Sequence, residues 1–229
     1  MKKVDLLIVT STLGSGGAER VISILATEMN KLGISTCILT THRKSHSDYY
    51  TLPKQVLRIR LWDYASQVPL VTPNWMIKLF GMRYYTKMLK PSTVLSFIGQ
   101  INLLTLLSLV GMDIPIVVSE RNDPSQQKLN FPWRLLRRVL YKRAYKVHAQ
   151  TDRVAKYMET EWKLRMVNVI PNPLTKIPTI EKSIITRDKT ILAVGRLAPQ
   201  KNFDILLNIW QRLSIQFPDW KLRIIGEGP

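Results

Sequence analysis

The sequence predicts an α/β fold: a parallel sheet covered by helices, followed by part of a second unit of the same kind. Three observations carry this reading. Short β-branched runs alternate with helical patterns along the chain. A glycine-rich turn separates the first run from the first helix. The alternation breaks at Pro171-Asn172-Pro173 and then restarts. Strand–helix alternation makes consecutive strands parallel and lays the crossover helices on the sheet faces.

The elements follow in order. Residues 4–9 form the first apolar run. The helix after it spans 18–32, with Ala18, Val21, Ile22, Leu25, Met29 and Leu32 on one face and Gly33 as its stop. Further strands are predicted over 36–40, 56–61, 94–97, 116–119, 147–149 and 167–170. The most apolar stretch, 101–110, is interrupted by Thr105 and Ser108 and falls short of the ~20 residues a membrane span needs. This makes a first domain over 1–172. A linker is expected over 173–187, where Pro, Thr and Lys occur without periodicity. The pattern restarts over 188–229, with a strand at 190–194, a turn at 195–202, a helix at 203–216 and a strand at 221–225. One strand–helix–strand unit cannot cover a sheet by itself, so this second domain reads as cut short.

Open parallel sheets bind ligands at the carboxyl ends of their strands, and the turn LGSGGAER (13–20) lies at such an end. Its bare backbone N–H groups and the following helix N-terminus favour an anion. A dinucleotide fingerprint requires G-x-G-x-x-G, and counting from Gly14 the third position is Glu19. A Walker loop requires Gly-Lys-Ser/Thr where Glu19-Arg20-Val21 stands. The turn has the texture of a phosphate loop and matches neither standard form.

Lys plus Arg number 34 against 16 Asp plus Glu, a net charge of +18. Such a balance suits a polyanionic partner, whether nucleic acid, an anionic bilayer or a phosphorylated lipid, and is equally met by solvated basic faces. Cys37 is the only cysteine, which excludes an intramolecular disulfide and favours a reducing compartment. The start, Met-Lys-Lys followed by a short run containing Asp5, lacks the apolar region of a secretory signal, so a cytoplasmic location is expected.

The sharpest chemical pattern is GRLAPQKNFD, beginning at Gly195. A strand ends in glycine, and Arg196 and Lys201 flank a turn that opens a helix. Arg196 can fork two phosphate oxygens, Lys201 supplies a point charge, and the helix end adds partial positive charge. The set suits a leaving diphosphate; two exposed cations in an ordinary turn are the plainer reading of the spacing alone.

GGAER near the start, VIPNP at the hinge, GRLAPQKNFD and then IIGEGP occur in that order from residue 13 to 229. The set resembles the GT-B glycosyltransferases of family 4. The resemblance implies two Rossmann-like domains facing a cleft and a nucleotide-sugar donor, UDP-linked, held mostly by the second. It implies transfer with retention of anomeric configuration. Arg196 and Lys201 would grip the donor diphosphate, Gly195 would end the strand before them, Gly16 and Gly17 would let the first loop approach the donor, and Gly226 would sit beside the nucleotide. Asn172 belongs to the hinge motif and joins the binding set. No bound cofactor is implied, since the nucleotide-sugar is a co-substrate. The family's later acidic motif, two glutamates seven residues apart, lies beyond residue 229. The chain as given is therefore expected to be inactive or nearly so if complete, and a piece of an active transferase if not.

SERNDP (119–124) closes a predicted strand where many relatives carry a histidine, and none of the three histidines falls there. This stretch resembles a subgroup that builds surface or lipid-linked oligosaccharides from hexose or N-acetylhexosamine donors. Glu120 and Asn122 could hydrogen-bond sugar or acceptor hydroxyls, Glu120 thereby joining the catalytic candidates, and Arg121 could meet phosphate. Alternatively, Glu120 and Arg121 bond their neighbours to stiffen the loop, and Asn122 or Asp123 caps a turn before Pro124. No Asp-x-Asp occurs, and the histidines and cysteine offer no ligand cluster, so no metal site is expected. No nucleophile–base pair stands out, which fits a front-face displacement in which the leaving phosphate helps deprotonate the acceptor.

Two segments give the basic charge a use. In 133–147, Arg134, Arg138, Lys142 and Lys146 recur every four residues and so line one helical face. In 75–90, Trp75, Phe80, Tyr84 and Tyr85 mix with Lys78, Arg83, Lys87 and Lys90. Both could rest on an anionic leaflet and bring the cleft to a lipid-linked glycan acceptor; both also fit core helices with wet basic faces. A nucleic-acid binder would explain the charge, but no helix-turn-helix, RRM or zinc signature occurs, so no nucleic acid is expected. A non-catalytic remnant binding membrane or a partner is the remaining alternative.

Overall fold

The computed structural model describes residues 3–43, 48–69, 71–127, 130–165, 167–174 and 188–228. The chain divides into two compact units, Met1–Leu174 and Thr175–Pro229. The predicted linker lies, from residue 175 to 187, outside the described residues.

The first unit is built on β1 (Leu6–Thr10), β2 (Thr36–Thr40), β3 (Leu57–Arg60), β4 (Thr93–Phe97), β5 (Ile116–Ser119), β6 (Lys146–Ala149) and β7 (Val167–Val169). They form one sheet in the order β3-β2-β1-β4-β5-β6-β7, every pairing parallel. The β-branched runs are continuous because both sheet faces are covered: all five residues of β2 are buried. Alternate residues go to opposite faces. Ile8 packs with Ile22 and Ala26 of α1 (Gly17–Lys31), whereas Leu7 and Val9 join the cluster on the other face. That cluster gathers α2 (Asn74–Leu89), α3 (Gly99–Ser108), α4 (Phe131–Tyr141) and α5 (Asp152–Trp162).

The order reverses at β1 and β4: the chain leaves β1 toward β2 and leaves β4 toward β5. Ligands of open parallel sheets bind at such a switch point, outside the strands' carboxyl ends. The glycine-rich loop follows β1 there. After β4 comes Ile98, whose φ of 74° is a genuine strain for a β-branched residue.

The predicted basic helical face over 133–147 is corrected. α4 ends at Tyr141 with Lys142 as its C-cap, and Tyr145 N–H donates to the Ile116 carbonyl at 2.8 Å to start β6. Lys146 is therefore a strand residue, placed by ladder pairing rather than by the helical period. Only Arg134 and Arg138 of the four lie within the helix.

The second unit has β8 (Thr190–Val194) and β9 (Lys221–Ile225) paired in parallel, joined by α6 (Phe203–Gln216). None of the described residues of this unit is buried, and Ile191, Leu192, Val194, Ile205, Leu207, Ile209 and Ile225 are all exposed.

Candidate functional site

The glycine-rich loop is anchored by buried Leu13 and bracketed by a neighbouring segment. Tyr49 N–H donates to the Leu13 carbonyl at 2.9 Å, and the Tyr50 hydroxyl donates to the Ser15 carbonyl at 3.3 Å. Gly16 is the N-cap of α1, and the Glu19 carboxylate folds back so that a Cβ on Gly16 would overlap it. Thr12 Oγ1 donates to Glu19 Oε1 at 3.2 Å. Glu19 thus lies at the helix N-terminus, where its charge is favourable. A Cβ on Gly17 would meet no atom within 4 Å. Neither glycine has positive φ, so nothing inside this unit demands glycine at Gly17, and the bare backbone is left open to an approaching group.

SERNDP separates its residues by sheet face. Glu120 continues the period of Ile116 and Val118, points into the helix-covered face, and is only 1% exposed. The Tyr141 hydroxyl donates to Glu120 Oε2 at 2.6 Å, and Asn102 Nδ2 donates to both the Tyr141 hydroxyl and the Ser119 carbonyl at 3.1 Å. Buried Arg137 lies nearby, its Nη2 donating to Gln127 Oε1 at 2.6 Å. Burial pushes the Glu120 carboxyl up from its ordinary value, against the Tyr141 bond and the Arg137 charge that pull it down. The expectation that Glu120 touches sugar or acceptor hydroxyls is therefore corrected. Its carboxylate is enclosed and ties the end of β5 to Tyr141 of α4, which in turn accepts from Asn102 of α3. Glu120→Ala should destabilise the chain by about 2 kcal/mol in urea unfolding, by leaving the buried Tyr141 hydroxyl proton without an acceptor while the Asn102 bond remains. Glu120→Gln, which keeps that bond, should recover most of the loss.

Arg121 takes the opposite face. Register sets Phe97, Ser119, His148 and Asn168 side by side across β4–β7. The Arg121 guanidinium lies 5.5 Å over the Phe97 ring, reaches Ser119 Oγ at 3.5 Å, and bonds the Asn172 side-chain oxygen. The Gln150 amide meets Asn172 at 2.8 Å. Arg121 and Asn172, 51 residues apart and both expected to bind substrate, are thus brought together at the carboxyl ends of β5 and β7. Asn122 is exposed beside them. Asp123 caps the 3-10 turn Pro124–Gln126 by accepting from Ser125 N–H at 3.0 Å and pairs with Arg153.

His148 completes this row and was invisible as a site residue in the sequence. Its Nε2 lies 2.6 Å from the Ile170 carbonyl, which only accepts, so Nε2 carries the proton. Nδ1, 2.6 Å from Ser119 Oγ, then accepts from that hydroxyl in the neutral ring. Burial holds His148 below its ordinary value of 6.5; the Ile170 bond opposes this and the Arg121 charge adds to it. The folded state therefore binds fewer protons than the unfolded one. Its contribution is present above pH 6.5 and is lost as pH falls from there through the folded pKa. The stability difference between the parent and His148→Gln, followed by thermal unfolding, should shrink across that window. A difference independent of pH would contradict the neutral assignment.

In the second unit, Leu197 N–H donates to the Glu227 carbonyl at 2.8 Å and Gly195 N–H to the Ile225 carbonyl at 3.0 Å. These bonds seat the turn after β8 against the end of β9. Arg196 and Lys201 are both exposed on this turn, and neither has an ion-pair partner among the described residues. Lys201 lies in the 3-10 turn Pro199–Lys201, and Asn202, at φ 52°, caps α6. A Cβ on Gly195 would meet Lys201 Cε at 3.6 Å, an ordinary contact. Gly226 differs: a Cβ there would overlap the Gly195 carbonyl oxygen. This close backbone approach accounts for glycine at 226 without a nucleotide beside it. Among the described residues no group of three His, Cys, Asp or Glu side chains is arranged to hold a metal.

Residues 15–175 match the family model described as Glycosyltransferase Family 4, and 177–229 match Glycosyl transferases group 1. The chain belongs to glycosyltransferase family 4. An uncharacterized glycosyltransferase of Haemophilus influenzae is 29% identical over the full chain, which covers 63% of that relative. The second relative is a Campylobacter jejuni enzyme named as an alpha-1,4-N-acetyl-D-galactosaminyltransferase acting on a diNAcBac-PP-undecaprenol-linked glycan. It is 26% identical, with the full chain covering 62% of it. The chain thus spans under two thirds of the length of these family members. The fold is that of GT-B glycosyltransferases. S. aureus TarM aligns with a TM-score of 0.71 at 10% identity, over 100% of this chain and 73% of that one. Anabaena HepE, solved with UDP and glucose, aligns at 0.70 and 12% identity, over 99% of this chain and 62% of that one.

Proposed function

We propose that this family 4 chain serves transfer of a hexose or N-acetylhexosamine from a UDP-linked donor, with retention, to a lipid-linked or surface-polysaccharide acceptor. The observation that carries the reading is the pair Arg196 and Lys201, exposed and without carboxylate partners among the described residues, on the turn that opens α6. In the proposed step the bond from the sugar C1 to the diphosphate oxygen breaks. The acceptor hydroxyl oxygen bonds C1 from the same face, and its proton passes to the departing diphosphate. Negative charge grows on that diphosphate as the bond stretches. Arg196, Lys201 and the α6 N-terminus answer it with fixed positive charge, supplying the stabilisation without a metal. Gly17 leaves backbone open to the donor, whereas the space beside Gly16 holds the Glu19 carboxylate. Arg121 and Asn172, with Asn122 beside them, present polar groups where sugar or acceptor hydroxyls can bind.

Support for the donor comes from HepE, solved with UDP and glucose. Support for the acceptor comes from the C. jejuni relative and from an Erwinia amylovora relative of amylovoran biosynthesis, 26% identical over 97% of this chain and 62% of its own length. No helix among the described residues is long and apolar enough to cross a membrane. A peripheral seat on the inner leaflet is supported by exposed Trp75, Phe80 and Tyr84 on α2 and exposed Phe131, Trp133 and Leu135 beside Arg134 on α4. UDP-sugar at millimolar concentration should raise the thermal midpoint. No shift with any UDP-sugar, together with salt-sensitive binding of DNA or RNA, would overturn the reading.

A further inference from the structure

The amino ends of β6 and β7 carry a second basic feature, at the end of the sheet opposite the glycine-rich loop. A concavity of about 520 Å³ opens between the turn after α4 and the turn after α5. Lys142, Lys146, Lys163 and Arg165 line it, and no carboxylate does. Val147 and Leu164, both buried, help form its floor. None of the four cations forms an ion pair with a carboxylate among the described residues.

The ordinary account of cations here is helix capping. Lys142 is the C-cap of α4 and Lys163 the C-cap of α5, and helix C-termini attract positive charge. Two C-termini supply about one negative charge between them, at ~0.5 each. Four cations leave a surplus of roughly three positive charges around one concavity. That exceeds what the helix ends require and matches a phosphate-bearing group of high charge.

We propose that this concavity is a phosphate-binding site, separate from the Arg196–Lys201 turn, that takes a diphosphate or a phosphomonoester headgroup. The cations meet the phosphate oxygens, and the apolar floor accepts the adjoining carbon. The site stands independently of the proposed transfer reaction, because none of its residues takes part in donor or acceptor binding there.

The test uses pyrophosphate titrated calorimetrically into the chain, and vesicles of phosphatidylcholine with and without phosphatidic acid in a sedimentation assay. Pyrophosphate should bind the parent saturably. The Arg196→Ala/Lys201→Ala chain, which lacks the other phosphate-suited cations, should bind it equally well at this site. Added to the Arg196→Ala/Lys201→Ala chain, Lys142→Gln/Lys146→Gln/Lys163→Asn/Arg165→Gln should weaken binding at least about tenfold; Asn at 163 tolerates the left-handed backbone there. A control with the same change in charge, Lys54→Gln/Arg60→Gln/Lys156→Gln/Lys221→Gln, should stay within about twofold. Binding of phosphatidic acid vesicles alone, lost only in the lining variant, assigns the phosphate to a lipid and supports the site. Equal loss in both fourfold variants, binding abolished by Arg196→Ala/Lys201→Ala, or no binding of either probe overturns it. Should the fourfold lining variant not fold, Lys142→Gln and Arg165→Gln singly should each weaken binding severalfold, and unchanged binding in both overturns the proposal.

Discussion

Gly226→Ala should open the second unit while leaving the first folded. The new methyl group would be forced onto the Gly195 carbonyl oxygen, a backbone atom that cannot rotate away. Relief requires β8 and β9 to part at their carboxyl ends. This threatens the bonds from Gly195 N–H to the Ile225 carbonyl and from Leu197 N–H to the Glu227 carbonyl. Overpacking costs about 1–3 kcal/mol and each lost bond about 1, so roughly 3–5 kcal/mol is expected. Hydrogen exchange should show lost protection at 190–194 and 221–225 with the amides of β1–β7 unchanged. Gly228→Ala is the control, because its Cβ would meet Leu197 at an ordinary 3.6 Å. If Gly226→Ala exchanges like the parent, the close approach does not constrain the unit.

In the proposed transfer reaction, Arg196→Ala and Lys201→Ala should each lower turnover by about 10²–10³-fold, the scale on which removal of one preorganised charge stabiliser acts. The two residues stand five positions apart on the turn, so the loss should grow in the double variant. The α6 N-terminus survives and should leave a residue of activity. Thermal protection by UDP-sugar should fall in parallel. The fold should not respond, since both side chains are exposed and neither is ion-paired among the described residues. Retained turnover in both single variants would remove the diphosphate assignment.

The strands were legible because parallel strands buried on both faces must be written as unbroken apolar runs. The predicted 36–40 and 116–119 coincide with β2 and β5; in the second unit, where no described residue is buried, 190–194 and 221–225 coincide with β8 and β9 through their apolar and β-branched residues alone. The first strand begins at Leu6 rather than at residue 4, because the Asp5 carboxylate turns aside to accept from Ser35 Oγ and N–H. Across 133–147 the basic period of four ran through a helix end that the spacing of lysines does not encode.

The site was legible in its motifs and opaque in its side-chain directions. Glu120 and Arg121 read alike as polar residues at a strand end, yet the period of two separates them. Ile116, Val118 and Glu120 share the enclosed face, and Ser119 and Arg121 share the other. That alternation was present in the sequence and could have removed Glu120 from the contact set. His148 could not have been found this way. Its role rests on lateral register with Ser119, and lateral register is a property of the assembled sheet.

The two-stranded sheet of the second unit has a colloidal consequence. Among the described residues neither β8 nor β9 has a neighbour on its outer side, so each presents a row of unpaired N–H and C=O groups flanked by exposed isoleucine, leucine and valine. Such strands are templates for pairing between molecules. The +18 charge opposes that pairing by mutual repulsion. Added salt shortens the reach of this repulsion to about 3 Å at 1 M and leaves the apolar attraction intact. The chain should therefore be driven together by salt: its charge acts as a dispersant for strand edges that have no neighbouring strand among the described residues.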